Sequence, residues 1–285
     1  MTTSDRLVAR TDRPTVLAAR PALARAVVAT LLVAGYVGAG FALRLDAEAY
    51  LVLGIPITIA FQAIVIRRPL RSLWLREAPP LSFTRRSIAA AAILAIAPAA
   101  VALRGVGAGN LPLVAWGAAS MVGALGAAYA LRAMNRDAVR STIAATVVGG
   151  GVMATIMVGY RLATGGFDGQ VVAAVLTTAV SVATYLPVVF VMEEVLFRGL
   201  IDPYLRGSAP EPHRPSALYG SALWGLWHVP VASVSLGLWT IPYLVIVHTA
   251  IGVVLVTSWR RTGNLAAPGT AHAVIDAVRN GIAVI

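Results

Sequence analysis

The sequence predicts an all-α, polytopic helical membrane protein with about nine transmembrane helices (eight to nine). Three observations carry this. Of 285 residues, 58% are hydrophobic and the mean hydropathy is +0.79. Only 12% are charged, which is about half the share of an ordinary soluble domain. Apolar runs of roughly 17–25 residues recur along the chain, and about 20 residues cross the hydrocarbon core of a bilayer. The net charge of +11 comes from Arg alone, because the sequence contains no Lys. This composition excludes a disordered chain, a coiled coil and a disulfide scaffold. With no Cys there is no thiolate zinc site and no Cys nucleophile. A basic chain can bind nucleic acid, but an apolar fraction this high makes the partner a lipid bilayer and not a nucleic acid.

The runs are 26–43, 49–66, 87–103, 111–131, 141–160, 171–197, 216–237, 241–258 and 265–283. The first follows a basic leader ending at Arg25. It is about 18 residues long, longer than a typical signal-peptide core, and reads as an uncleaved helix despite small residues at Ala47 and Ala49 that resemble a cleavage site. The third is Ala-rich and interrupted by Pro98. Gly105, Gly107 and Gly109 follow it with no strand before them, so they mark a connection and not a nucleotide loop. The fourth carries small residues at helical spacing, Ser120 with Ala124 and Gly126 with Ala130, which let helices approach closely in lipid. The fifth is unremarkable. The last four carry ionisable groups. There is no clear internal repeat and no second soluble domain. The organisation reads as a basic tail (1–25), N-terminal transmembrane helices (26–165) and C-terminal transmembrane helices (166–285).

Arg concentrates in short cytoplasmic loops. Dividing the chain at these nine runs puts 19 Arg on one side and four, Arg44, Arg104, Arg161 and Arg279, on the other. Missing one helix would scramble that alternation. The expectation is a multi-pass cell-membrane protein with a cytoplasmic N-terminus.

Ionisable groups inside hydrocarbon are costly and mark function by default. Of the acids, Asp5, Asp12, Asp46, Glu48, Glu77, Asp137, Asp168, Asp202 and Glu211 fall in tails or connections. Glu193, Glu194 and Asp276 do not, and neither do His228, His248 and His272. At about 1.5 Å rise per residue, Glu193 and His272 lie roughly 10 Å from the cytoplasmic ends of their helices, and His228 and His248 roughly 15–18 Å. Four helices therefore bring these groups to one level.

Glu194 and Arg198 are four apart and share a helix face. Glu193 is rotated about 100° from Glu194 and can face the bundle interior. The alternative is a helix end whose charges reach the interface, but a short Glu side chain at that depth reaches it poorly. Trp224 lies one turn before His228, where interfacial aromatics and a core His are the bland reading. His272 and Asp276 are again four apart, and Asn280 continues the stripe. Such a pair can orient a water, bind a metal or donate to an oxyanion, and Arg279 offers Asp276 a plain ion-pair partner. His248 belongs to no motif and reads as packing. His213, between Pro212 and Arg214, reads as a solvated loop residue.

These motifs resemble the CAAX prenyl protease and bacteriocin-processing (CPBP) intramembrane proteases, and are similar to type II CAAX prenyl endopeptidases. The family pattern is E-E-x-x-x-R, F-x-x-x-H and H-x-x-x-N/D on successive helices. Here it is met by Glu193, Glu194 and Arg198; by Trp224, where Phe is usual, and His228; and by His272 and Asp276. The run Arg261 to Pro268 resembles the family's turn into the last helix. The likeness covers about residues 170–282. It implies an endopeptidase acting on a membrane-associated protein or peptide. Glu193 and His228 would activate water, His272 and Asp276 would hold the oxyanion, and Glu194 and Arg198 would support the site.

The chemistry of the residues is compatible with that role, since peptide hydrolysis needs a base for water and a stabiliser for the oxyanion. No Ser-His-Asp set and no H-E-x-x-H zinc motif is present. An ionised Asp cannot donate to an oxyanion as Asn can. Asp276 is therefore protonated, or orients His272, or belongs to a metal site in which Glu193, His228 and His272 bind zinc. The metal-free glutamate mechanism is the expectation. Rival functions are a proton-coupled transporter and a non-catalytic scaffold or immunity protein on the same fold. The Arg-only, Ala-rich composition fits a GC-rich bacterial genome, where prenylated tails are not expected.

Overall fold

A computed structural model describes residues 21–81, 84–167, 169–209, 213–232 and 236–285. Most of the basic tail, with Asp5 and Asp12, lies outside the described residues, as do Asp168 and Glu211. Among the described residues the protein is built of helices and turns, with no strand. The helices are α1 (Ala22–Ala42), α2 (Ala47–Phe61), α3 (Arg85–Gly107), α4 (Leu111–Leu131), α5 (Arg136–Thr164), α6 (Val171–Val189), α7 (Asp202–Arg206), α8 (Arg214–Trp227), α9 (Thr240–Thr262) and α10 (Ala266–Ala283). Asp46, Thr84, Asn110 and Asn135 each accept a backbone N–H at the start of a helix, satisfying one of the donors that a first turn leaves open. Asp46 and its cap place Ala47 and Ala49 in the first turn of α2.

Among the described residues, seven helices, with α2 extended to Ile66 and α9 begun at Gly237, are long and apolar enough to cross a membrane. Their outward faces are aliphatic, with Leu31, Ile93, Val147 and Val172 each about two-thirds exposed or more. Pro98 does not break α3. It is buried inside one continuous helix, where its carbonyl and Ala102 lie against Gly117 of α4. The small-residue face of α4 is closely packed as well. Ser120, Ala124 and Ala130 are fully buried, Gly126 lies under the Trp74 ring, and Gly123 abuts the Pro187 carbonyl.

The other two expected spans, 216–237 and 265–283, differ from the seven. α8 has 14 residues, about 21 Å at helical rise, and stops at Trp227, short of the roughly 30 Å hydrocarbon core. α10 has 18 residues but carries His272, Asp276, Arg279 and Asn280. Both are enclosed by other helices. α10 packs on α5 and α6, and α8 packs on α9 and α1. Ala266, Ala267, Ala271, Ala273 and Ala277 are fully buried, so small side chains let α10 lie close to its neighbours.

The run 171–197 is not one helix. α6 ends at Val189, just after Pro187, and a turn over 190–192 intervenes. Glu193 and Glu194 then lead into a π-helical turn, Val195–Ile201. Pro187 lacks the N–H that would bond the Ala183 carbonyl, and in the turn that follows the Trp74 indole donates to the Phe190 carbonyl at 2.7 Å. Such π turns are frequent at functional sites.

Candidate active site

The break after α6 turns Glu193 and Glu194 into the centre of the bundle. Every side chain from Val191 to Arg198 is buried. Glu194 is wholly enclosed and has two partners. His272 Nδ1 donates to its Oε1 at 2.9 Å, and Arg198 Nε stands 3.5 Å from its Oε2. The Arg198 guanidinium also lies 4.2 Å from the centre of the Trp224 ring. Leaving either member of such a buried pair alone would cost several kcal/mol.

Glu193 faces the opposite way. Its Oε2 accepts from Trp224 Nε1 at 3.1 Å and lies 3.4 Å from His228 Nε2 and 3.9 Å from His272 Nε2. The carboxylate thus points inward between α8 and α10 and not toward lipid. His228 caps the C-terminus of α8, and its Nδ1 bonds the Trp224 carbonyl at 2.9 Å. A carbonyl only accepts, so Nδ1 carries a proton; in the neutral form of the ring, Nε2 presents its lone pair toward Glu193. The early stop of α8 leaves this ring partly exposed, at 19%.

His272 Nε2 also faces Asp276 Oδ2 at 3.5 Å, and Asp276 Oδ1 faces Arg279 Nη1 at 3.3 Å. The ion pair with Arg279 and the approach to His272 therefore coexist. Asn280 lies one turn on and donates to Ser181 and Tyr185 of α6, 3.2 Å each. A continuous chain runs from Arg198 through Glu194, His272 and Asp276 to Arg279. The structure thus brings Glu193, Glu194, Arg198, His228, His272 and Asp276 into one cluster.

The zinc alternative fares differently. Among the described residues no three His, Asp or Glu side chains are grouped to hold a metal ion. His272 Nδ1 is committed to Glu194, and its Nε2 is shared between Glu193 and Asp276. Glu193, His228 and His272 are accordingly not grouped as a three-residue metal set among the described residues.

Several neighbours were not legible as site residues. His248, read as packing, stacks on His228 with ring centres 4.0 Å apart and meets the Trp224 ring edge-on at 4.7 Å, while its Nδ1 bonds the Leu244 carbonyl. Gly225 and Gly252 make this possible, because a Cβ at either would meet α9 backbone or Ser221 at 2.6 Å. Tyr50 of α2 donates to the Trp227 carbonyl at 2.7 Å, and Tyr36 of α1 packs on both rings. A search of the sequence for Asp, Glu and His passes over these tyrosines, although a hydroxyl inside an aliphatic span is itself a signal. His213 is a half-buried helix cap and not a solvated loop residue. Its ring bonds Ser216 and its carbonyl accepts from Arg260. Asp202, placed in a connection, is buried in an ion pair with Arg260 at 2.5 Å.

One comparison bears on this site. Residues 170–278 match the family model "Type II CAAX prenyl endopeptidase Rce1-like". The C-terminal part of the chain is similar to that family over these residues. The matched residues begin at α6 and run through most of α10, so they contain every member of the Glu193 cluster. No curated protein and no solved structure matches the chain. The matched segment packs against the helices before it as well, since α1 packs on α8 and α2 on the Val195–Ile201 turn.

Proposed function

We propose that the chain is an intramembrane endopeptidase that hydrolyses a peptide bond in a membrane-associated protein or peptide, entering from the cytoplasmic side. The family match supports a protease of this kind. The observation that carries the mechanism is the convergence of Trp224, His228 and His272 on one oxygen of Glu193.

Glu193 and the Nε2 lone pair of His228 are two acceptors 3.4 Å apart. A water donating one hydrogen to each turns its own lone pair outward, toward a substrate carbonyl. Glu193 takes a proton from this water as the oxygen attacks the carbonyl carbon, and the C=O electron pair moves onto its oxygen. Glu193 then returns the proton to the amide nitrogen. The C–N bond breaks and the carbonyl re-forms, leaving an acid and an amine.

The developing oxyanion is stabilised by His272. With a proton on each ring nitrogen, His272 donates to Glu194 through Nδ1 and offers its Nε2–H to the substrate. The cluster then balances three carboxylates (Glu193, Glu194 and Asp276) with three cations (Arg198, Arg279 and His272). Held ionised by Arg279, Asp276 orients His272 and does not itself touch the oxyanion. Glu194 and Arg198 act through His272 as positioning residues.

The test uses detergent-purified full-length protein and quenched-fluorescence peptides, both farnesylated CAAX-type peptides and an unprenylated pool. The wild type should cleave, and Glu193→Gln should lose about 100-fold or more while melting at the same temperature, as expected for removing a general base. Metal analysis of the same preparation checks the metal-free route. A wild type that cleaves neither set, or a Glu193→Gln variant as active as the wild type, overturns the reading. Uptake by reconstituted vesicles that is lost in Glu193→Gln would mark a transporter instead.

A further inference from the structure

A second polar concavity lies behind the helical segment that carries Glu193. It opens between the loop after α2 and the α7 region, has a volume of about 130 Å³, and is lined by Gln62, Arg68, Ser72, Arg76, Tyr204 and Arg206, closed at the back by Trp259. At roughly 30 Å³ per water in the liquid, this space holds about four waters, the scale of a phosphate group. Three guanidinium groups line it, and none of its lining residues is Asp or Glu.

The walls are built and not incidental. Gln62 is buried and donates to the carbonyls of Arg68 and Pro69 and to Ser72 Oγ, fixing the loop at 3.0–3.4 Å. Arg76 is pinned by bonds to the Trp259 and Arg260 carbonyls, with its guanidinium 5.6 Å from the Trp259 ring centre. Opposite, Gly207 adopts a left-handed φ of 58° with the Arg25 guanidinium against it, and Arg25 bonds the carbonyls of Leu205 and Arg206. Asp202 is ion-paired with Arg260, with Arg206 a further charge near it, and Glu194 is paired with Arg198 and His272. The pocket also sits at the end of the molecule where Arg concentrates, the level at which lipid headgroups meet a membrane protein.

We propose that this pocket is an anion site for a phosphate group, supplied by an anionic lipid headgroup or by free phosphate. A planar guanidinium matches the oxygens of such a group through paired N–H donors, and basic pockets between helices at this level suit headgroups. Gly199 and Leu200 form part of its wall and follow Arg198 directly. A Cβ at Gly199 would meet the Leu73 carbonyl at 2.6 Å, so the two walls already touch. A bound phosphate braces the segment 193–201 from the side opposite the catalytic cluster. The binding claim does not depend on peptide hydrolysis.

The experiment measures binding, not activity. Full-length protein in zwitterionic detergent is melted in inorganic phosphate and in chloride of equal ionic strength. The same protein in phosphatidylcholine nanodiscs, with and without phosphatidylglycerol, is examined by melting and by native mass spectrometry. Stabilisation by inorganic phosphate in detergent identifies the small anion. Stabilisation and lipid retention only with phosphatidylglycerol identify the headgroup. In either arm Arg68→Gln and Arg206→Gln should weaken binding about tenfold or more, as loss of a charge-assisted contact does. Arg86→Gln, an exposed Arg outside the pocket, should not. Arg68 is exposed, so its variant keeps the fold and carries the test if Arg206→Gln does not. No stabilisation by either anion, undiminished binding in Arg68→Gln, or equal loss in Arg86→Gln overturns the proposal.

Discussion

Replacing Trp224 with Phe isolates one hydrogen bond in the Glu193 cluster. The indole N–H donates to Glu193 Oε2 at 3.1 Å, and Trp224 is only 2% exposed. Phe keeps most of the ring that packs against His228, His248 and His272 but cannot donate. A hydrogen bond to a charged group contributes about 1.5–3 kcal/mol. If that is felt in the transition state, kcat should fall roughly 10- to 150-fold, at 1.36 kcal/mol per factor of ten. KM should hardly move, because Trp224 lies behind Glu193 and reaches substrate only through it. Trp227→Phe is the control. Trp227 is equally buried, but its indole N–H has no hydrogen-bond partner among the described residues. Both variants should melt a few degrees lower through lost packing, and Trp224→Phe alone should lose the larger part of kcat in the peptide-cleavage assay. A folded Trp224→Phe enzyme within about twofold of wild-type kcat, or an equal loss in Trp227→Phe, would refute the reasoning.

Other outcomes follow from the same contacts. Arg198→Met leaves Glu194 buried beside His272 without its ion-pair partner and should destabilise the protein by about 3–5 kcal/mol, read as a lower melting temperature in detergent. Asp276→Asn keeps an acceptor near His272 and should cost about tenfold or less in cleavage rate, whereas His272→Gln should cost about 100- to 1,000-fold, the range for removing an oxyanion donor. Gly123→Leu forces a side chain into the Pro187 carbonyl and pushes α4 from α6. It should destabilise by about 1–3 kcal/mol or more, while Gly150→Leu, with open space around its Cα, should melt like the wild type.

The sequence settled what kind of molecule this is because bilayer physics is nearly one-dimensional. A run of some 20 apolar residues reads as a span wherever it occurs, and an acid or His inside one stands out because lipid offers it no partner. Glu193, Glu194, His228 and His272 were found on that ground alone, and the i, i+4 spacing of Glu194 with Arg198 and of His272 with Asp276 follows from helical periodicity. Hydropathy could not place the helix ends in the C-terminal half. The break at Phe190–Met192, the early stop of α8 and the burial of polar α10 are choices made by packing, and a window average passes over all three.

Partner choice across the bundle was likewise decided only in three dimensions. That Glu194 holds His272, that an indole binds Glu193, that Tyr50 and His248 support the His228 helix end and that three Arg meet in one pocket all join residues tens to hundreds of positions apart. Periodicity relates a residue to its own helix and carries no information about which face a neighbouring helix will offer. Small residues such as Gly225 and Gly252 set those approaches, and their effect appears only once the helices are packed.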